Sequence, residues 1–397
     1  MKQGQTAINN TNKEQILFVT KAKFPDGNAF ATYIGAIASV FKASNCEVFC
    51  IGSGRSENRK LFDSYFGKYV SLRSNNCKTL LSKIKNQLSL ENRIFKYLKS
   101  CFGAPKHIFF SCEFSLSFYE KVKKLYEEKG TKFSFAFTEE YTKDEFEKYT
   151  LLSRKAIKIN RHFIYNYKSK DDSFVTISRY LFEKMSGRGL NCVYIPFCFN
   201  LSYISSNQKE ASKHEGINYI YSGNPENKDL LPTIIQSFSS LGEIASKHNA
   251  HLNIIGVDEE WAKKHHVNTF DFDHIKFYGK QNKDFVYEMY ANSDYSILLR
   301  DENKTFAKAG FPTKISESMI LGVTPITNLT SNLSDYLNSS NAIIVNGHSS
   351  SDLSKALIDS IEDFDNNAKR KESALRTARD NFDIEKYKDT LLSLINK

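Results

Sequence analysis

The stretch AGFPTKISESMILGVTPITN, Ala309–Asn328, decides the fold. It reads as a loop, a short helix and a strand in direct succession. Pro312 suits the first turn of a helix, where its missing N–H is no loss, and Gly322 suits the stop. Between them Ile315 and Met319 share one helix face, while Lys314, Glu317 and Ser318 share another. One reading is a capped surface helix with a solvated Lys314–Glu317 pair worth about 0.2–0.5 kcal/mol. The other is a helix N-terminus whose loop, Gly310, Phe311, Pro312 and Thr313, offers amides to a phosphate beside the Lys314 ammonium. Glu317 then accepts hydrogen bonds from ribose hydroxyls. Spacing alone favours the surface helix.

The same alternation runs outward in both directions. Upstream of the stretch lie INYIYSG, a helix through DLLPTIIQSFSSLGEIASKH, then AHLNIIG, IKFYG, the helix NKDFVYEMYANS and DYSILL. Downstream follow AIIVNG and the helix SDLSKALIDSIEDF. The first half repeats the plan with QILFVT, a glycine-containing loop and helix, CEVFCIGSG, HIFFSC, KFSFAFT, DSFVTISRYLFEKM and NCVYIPFCFN. Strands alternating with helices imply parallel sheets, so the fold class is α/β with two Rossmann-like halves and a cleft between them. The expected domains are 14–200 and 217–380, joined by the polar, aperiodic linker 201–216, with a C-terminal helix over 381–397. At 397 residues two cores of ordinary size are available.

The seven cysteines form no C-x-x-C pair and read as free thiols in a reducing compartment. The first residues lack the apolar core of a signal peptide, and no apolar run is long enough to span a bilayer. These features point to a cytoplasmic protein, in which the sequons at Asn328, Asn332 and Asn338 stay idle. The net charge of +10 is uneven. Arg55–Lys106 holds twelve Lys/Arg against three acids, and Lys148–Lys170 holds seven basic residues and no acid. Both blocks suggest an anionic partner for the first half.

Several chemistries are set aside. IGSGRSEN offers Gly52 and Gly54 but no third glycine, so a dinucleotide site is rejected, and there is no P-loop. No His/Cys/acid set has metal-ligand spacing, no nucleophile elbow occurs, and no nucleic-acid module is recognisable.

The opening stretch resembles the signature region of GT-B glycosyltransferases of family 4 (glycosyl transferases group 1), closest to polysaccharide-building members that read FPTK…ES…G. The resemblance implies two facing domains, with the C-terminal helix returning to the first. It also implies sugar transfer from a UDP- or GDP-sugar to a saccharide or lipid-linked saccharide, with retention, without metal or cofactor, in surface polysaccharide synthesis. Glu317 takes the place of the ribose-binding glutamate, while the family's first glutamate is replaced by Ala309. YIYSGNPENKDLLPTIIQSF resembles the segment that opens the donor domain. It gives Gly223 and Lys228 to the nucleotide diphosphate, with Asn224 where an arginine is usual. The loop after Gly279 would follow the base, and Arg300 and Lys308 are candidates for the missing positive charge. In the first half, Gly27 and Asn28 match the loop that closes on the donor phosphate. Lys228, Glu317 and Glu140 are the expected catalytic residues, with Glu139 beside Glu140 near the acceptor or simply in a solvated acidic loop.

KTLLSKIKNQLSLENRIFKYLKS (78–100) interleaves Lys78, Lys83, Lys85, Arg93, Lys96 and Lys99 with apolar residues. It reads equally as a surface for anionic lipid on the inner face of the cell membrane or as helix with an ordinary core face. Two alternatives stand beside the transferase: a GT-B sugar-nucleotide epimerase, and a non-catalytic scaffold, which the losses at Ala309 and Asn224 would suit.

Overall fold

A computed structural model describes residues 13–24, 29–55, 61–73, 80–147, 149–207, 214–265 and 274–396; the side chains of 54, 55, 73, 80–88 and 152 are not described. The chain divides into two compact units. Met1–Thr138, Tyr149–Asn200 and Ile384–Lys397 form the first, and Glu139–Lys148 with Leu201–Asp383 form the second.

The first unit is built on strands β1 (Gln15–Val19), β2 (Glu47–Arg55), β3 (Phe62–Ser64), β4 (Gly67–Arg73), β5 (His107–Ser111), β6 (Lys132–Phe137), β7 (Ser173–Thr176) and β8 (Asn191–Tyr194). Their order is β3-β4-β2-β1-β5-β6-β7-β8, parallel except for the β3–β4 pair. β5 is buried along its whole length and β1 from its second residue, as strands covered on both faces must be. Register places Phe110 of β5 opposite Phe135 of β6, and Phe135 opposite Phe174 of β7. Their rings stack at 6.1 and 5.0 Å, so three phenylalanines form one ladder across the sheet.

The basic segment read equally as a lipid-facing surface or as helix with a core face forms the helix Leu80–Cys101. In its described half Leu90, Ile94 and Leu98 are buried, so that apolar face belongs to the core. Lys78 lies outside the described residues. At the chain's far end the Ile384 amide donates to the Phe199 carbonyl at 2.9 Å. The helix Lys388–Asn396 then packs on Ala29–Ala43. Among the described residues no helix is long and apolar enough to cross a membrane.

The second unit carries β9 (Ile217–Ser222), β10 (Ala250–Ile255), β11 (Ile275–Phe277), β12 (Tyr295–Leu298), β13 (Thr324–Thr327) and β14 (Ile343–Ile344). Their order is β11-β10-β9-β12-β13-β14, and every pair is parallel. The chain moves from β9 outward to β11, then returns to the other side of β9 with β12. Ligands of such sheets bind beyond the strand ends where the direction reverses, here between β9 and β12. The stretch 201–216, expected to be aperiodic, opens with the helix Leu201–Asn207.

Candidate active site

Three strands of the second unit end in glycines with positive φ: Gly223 after β9 (+117°), Gly256 after β10 (+111°) and Gly279 after β11 (+61°). Backbone hydrogen bonds knit them: Gly223 donates to Ile255, Gly256 to Gly279 and Gly279 to Val257, at 2.8, 2.7 and 3.1 Å. A Cβ at Gly256 would stand 2.5 Å from the Gly223 carbonyl oxygen, and one at Gly223 would stand 2.8 Å from Cε of Lys314. Backbone contact and φ together require glycine at position 256, while at position 223 the φ is what favours it, the lysine end being able to shift.

Next to this floor lies an ionic cluster. Asp229 is buried at the end of the loop after β9, and Arg300 is buried just past β12. Asp229 Oδ1 accepts from Arg300 Nε at 2.8 Å, while Oδ2 accepts from Lys314 Nζ at 2.6 Å and from the Tyr221 hydroxyl at 2.8 Å. Burial would raise the Asp229 carboxyl, but the Lys314 and Arg300 charges outweigh it and hold it well below the usual carboxylate range. Burial also opposes the Arg300 charge, and Asp229 more than restores it. Asn328 fixes the arginine from behind, its amide accepting from the Arg300 N–H at 3.1 Å and donating to the Arg300 carbonyl at 2.7 Å. That sequon asparagine is buried and occupied.

Lys228 faces a different acid. Its ammonium sits 2.6 Å from Glu139 Oε1 and 5.4 Å above the Tyr141 ring. Burial alone would raise Glu139, but Lys228, the Tyr141 hydroxyl and Arg300 together lower it. The loop bearing Glu139 belongs to the second unit, where Glu145 also accepts from the Thr305 amide and Tyr141 rests near Phe306.

The helix of the opening stretch spans Thr313–Ile320, with Pro312 just before its first residue and Gly322 at φ +74° after it. Three details of the sequence reading change. Lys314 does not pair with Glu317 but with Asp229, and Ser318 is fully buried, donating to the Ile315 carbonyl. The Gly310 amide is not free for a ligand, because a short helix, Thr305–Ala309, ends there and Gly310 donates to Phe306. Glu317 is half-buried; burial raises its carboxyl, only partly offset by Lys283 and Lys314.

The structure thus gathers Gly223, Lys228, Arg300 and Lys314, with Glu317 one turn along from Lys314. Lys308 is exposed on the short helix and has no polar partner among the described residues. Asn224 is exposed and accepts from the Glu226 amide, shaping the loop. Glu140 is buried beside Glu139, but Glu139 is the one that meets Lys228. Phe311 and Pro312 are buried, and Thr313 is half-buried. Gly27 and Asn28 lie outside the described residues. Sequence reading missed Asp229, Tyr221, Gly256 and Lys283. Asp229 stood directly after Lys228, yet only the fold brings it to Arg300 and Lys314.

The structure also assembles Asp301, Glu302 and His348, whose ligand atoms lie within 4.8 Å of one another. His348 Nδ1 is 2.8 Å from Glu302 Oε2, which Asn328 also holds at 3.0 Å. Ion pairing and hydrogen bonding account for this half-exposed group, and we assign it no metal.

The family model of glycosyl transferases group 1 matches residues 204–377, which takes in every strand of the second unit. No curated protein matches the chain by sequence. Among solved structures, sucrose-phosphate synthase from Thermosynechococcus elongatus superimposes with TM-score 0.74 at 10% identity, covering 97% of this chain and 98% of that one. HepE of Anabaena in complex with UDP-glucose gives 0.67 at 12%, covering 96% and 99%. WaaG, a glycosyltransferase involved in lipopolysaccharide biosynthesis, gives 0.65 at 14%, covering 95% and 99%. The two-domain α/β fold is therefore the GT-B fold. The second unit carries a glycosyl transferases group 1 domain.

Proposed function

We propose that the chain transfers a sugar from a UDP- or GDP-sugar to a saccharide or lipid-linked saccharide, with retention, at the inner face of the cell membrane during surface polysaccharide synthesis. The observation that carries this reading is the convergence of Lys228, Arg300 and Lys314 beyond β9 and β12. Breaking the bond between the anomeric carbon and the diphosphate leaves its electron pair on a phosphate oxygen. Fixed cations in a largely desolvated site stabilise that developing charge. The acceptor hydroxyl oxygen forms the new bond, and its proton passes to the departing diphosphate oxygen.

Asp229 holds the guanidinium and the Lys314 ammonium at fixed positions before a donor arrives, so little reorganisation accompanies reaction. Lys228 exchanges the Glu139 carboxylate for a phosphate oxygen. Glu317, ionised, accepts from the ribose hydroxyls, and Gly223 lets the backbone come close to the diphosphate. Glu139 and Glu140 lie on the acceptor side of the reaction. The test is to incubate the protein with UDP-, GDP- and ADP-sugars separately and to follow binding and slow donor hydrolysis, with Lys228→Ala and Glu317→Ala alongside. One nucleotide bound and hydrolysed, with loss in both variants, supports the reading. Equal behaviour of wild type and variants refutes it.

A further inference from the structure

The helices of the two basic blocks differ in how far their described apolar residues are covered. The helix Leu80–Cys101 buries Leu90, Ile94 and Leu98. The helix Leu151–Asn166 differs: it buries Phe163 and Ile164 near its end, and none of its described residues from Leu151 to His162 is buried. Leu151 is 80% exposed and Tyr165 46% exposed. At helical spacing Leu151, Arg154, Lys155, Lys158, Arg161, His162 and Tyr165 form one stripe, opposite Phe163 and Tyr167. Lys155, Lys158 and His162 are exposed, and among the described residues neither lysine has an ion-pair partner. Arg161 and Lys184 lie over the Tyr165 ring at 5.3 and 5.1 Å. No acid occurs from Lys148 to Lys170.

We propose that this stripe is a docking surface for an anionic lipid bilayer. The partner is a lipid surface because the charge is straight, rigid and flanked by apolar anchors. A helix of this length gives a line of roughly 24 Å. Four Lys/Arg along it meet a plane of anionic headgroups, while Leu151 enters the acyl boundary and the Tyr165 ring sits at headgroup level. The inference deepens the reading above and rests on it for the lipid-linked acceptor, which the docked face would keep close at hand.

The test is co-sedimentation of the full chain with phosphatidylcholine vesicles, with and without phosphatidylglycerol, at low and high salt. Wild type is compared with Lys155→Ala/Lys158→Ala, with Leu151→Ser and with Lys96→Ala/Lys99→Ala on the other basic helix. At roughly fivefold per basic residue near the surface, the Lys155/Lys158 double variant loses about 25-fold in partition to anionic vesicles. Leu151→Ser also weakens it, and the Lys96/Lys99 pair changes it less. Donor hydrolysis without vesicles stays at the wild-type rate, which shows that the variants are folded. Equal partition of wild type and the Lys155/Lys158 variant, or equal binding to neutral vesicles, overturns the proposal, as does a stripe that instead drives self-association in vesicle-free solution. Vesicle binding without donor turnover would sink the transferase reading and leave this one standing; donor turnover without vesicle binding would do the reverse.

Discussion

Asp229→Asn is the substitution that probes the candidate site most directly. The carboxylate has a side-chain exposure of 1% and neutralises Arg300 and Lys314 together. Asparagine keeps the shape but supplies one acceptor oxygen, and its amide donor meets either the guanidinium Nε or the ammonium. Removing one partner of a buried ion pair costs about 3–5 kcal/mol, because a charge is left without compensation. Lys314 retains 18% side-chain exposure and sheds part of that charge into water, so a loss of about 3 kcal/mol is expected. The only tryptophan, Trp261, sits on the helix Glu259–Lys264 of the second unit and reports the unfolding of that unit in urea. With m near 3 kcal/mol per molar, the midpoint falls by about 1 M. Donor affinity is the second readout. The variant carries one more positive charge, so if the acid only balanced charge, a nucleoside diphosphate would bind more tightly. If it positions the two cations, binding weakens about tenfold or more. A midpoint shift below about 0.3 M together with tighter binding would refute the argument.

Glu139→Gln frees Lys228, and because the glutamate is 46% exposed at its side chain the effect is modest: donor Kd falls by up to about fivefold in titration calorimetry. Gly256→Ala forces a Cβ onto the Gly223 carbonyl and lowers the urea midpoint far more than Gly279→Ala, where nothing lies within 4 Å and only the αL preference is lost, about 1 kcal/mol. Donor affinity falls on acidification at a higher pH than an ordinary glutamate would dictate, since burial raises Glu317 and protonation removes its acceptor oxygens; Glu317→Gln flattens that profile. In the first unit, burial, Lys132 and Lys106 push His107 down to about 3. Above pH 6.5 both folded and unfolded chains hold it neutral. Below that, only the unfolded chain takes the proton, and stability declines by about 1.4 kcal/mol per pH unit towards pH 3. His107→Gln removes that component of the slope in urea unfolding measured at several pH values.

The alternation of elements was legible because parallel strands covered on both faces must be apolar runs, as in INYIYS and HIFFS. Gly223 and Lys228 were legible because they follow β9 at short range. Arg300 was legible as a candidate cation, but its partner was not, since nothing local marks which acid a fold 71 residues away delivers. The Lys314–Glu317 spacing misled for the same reason: a long-range carboxylate outcompetes a solvated i,i+3 neighbour. The β3–β4 hairpin was missed because β3 is only three residues long and largely exposed, too short for a strand pattern to show. The Leu80–Cys101 helix was ambiguous on periodicity alone, which reports an apolar face without saying what covers it.

The bond from Ile384 to Phe199 carries a consequence for the order of assembly. It joins the two ends of nearly the whole second unit, so the first unit is complete only when a loop of almost two hundred residues has closed. Closing such a loop from a disordered chain would cost on the order of 4–5 kcal/mol. A folded insert brings its own ends together beforehand. During synthesis the N-terminal sheet therefore waits, with the face of Ala29–Ala43 that Lys388–Asn396 covers still open, until the insert has folded and that helix emerges.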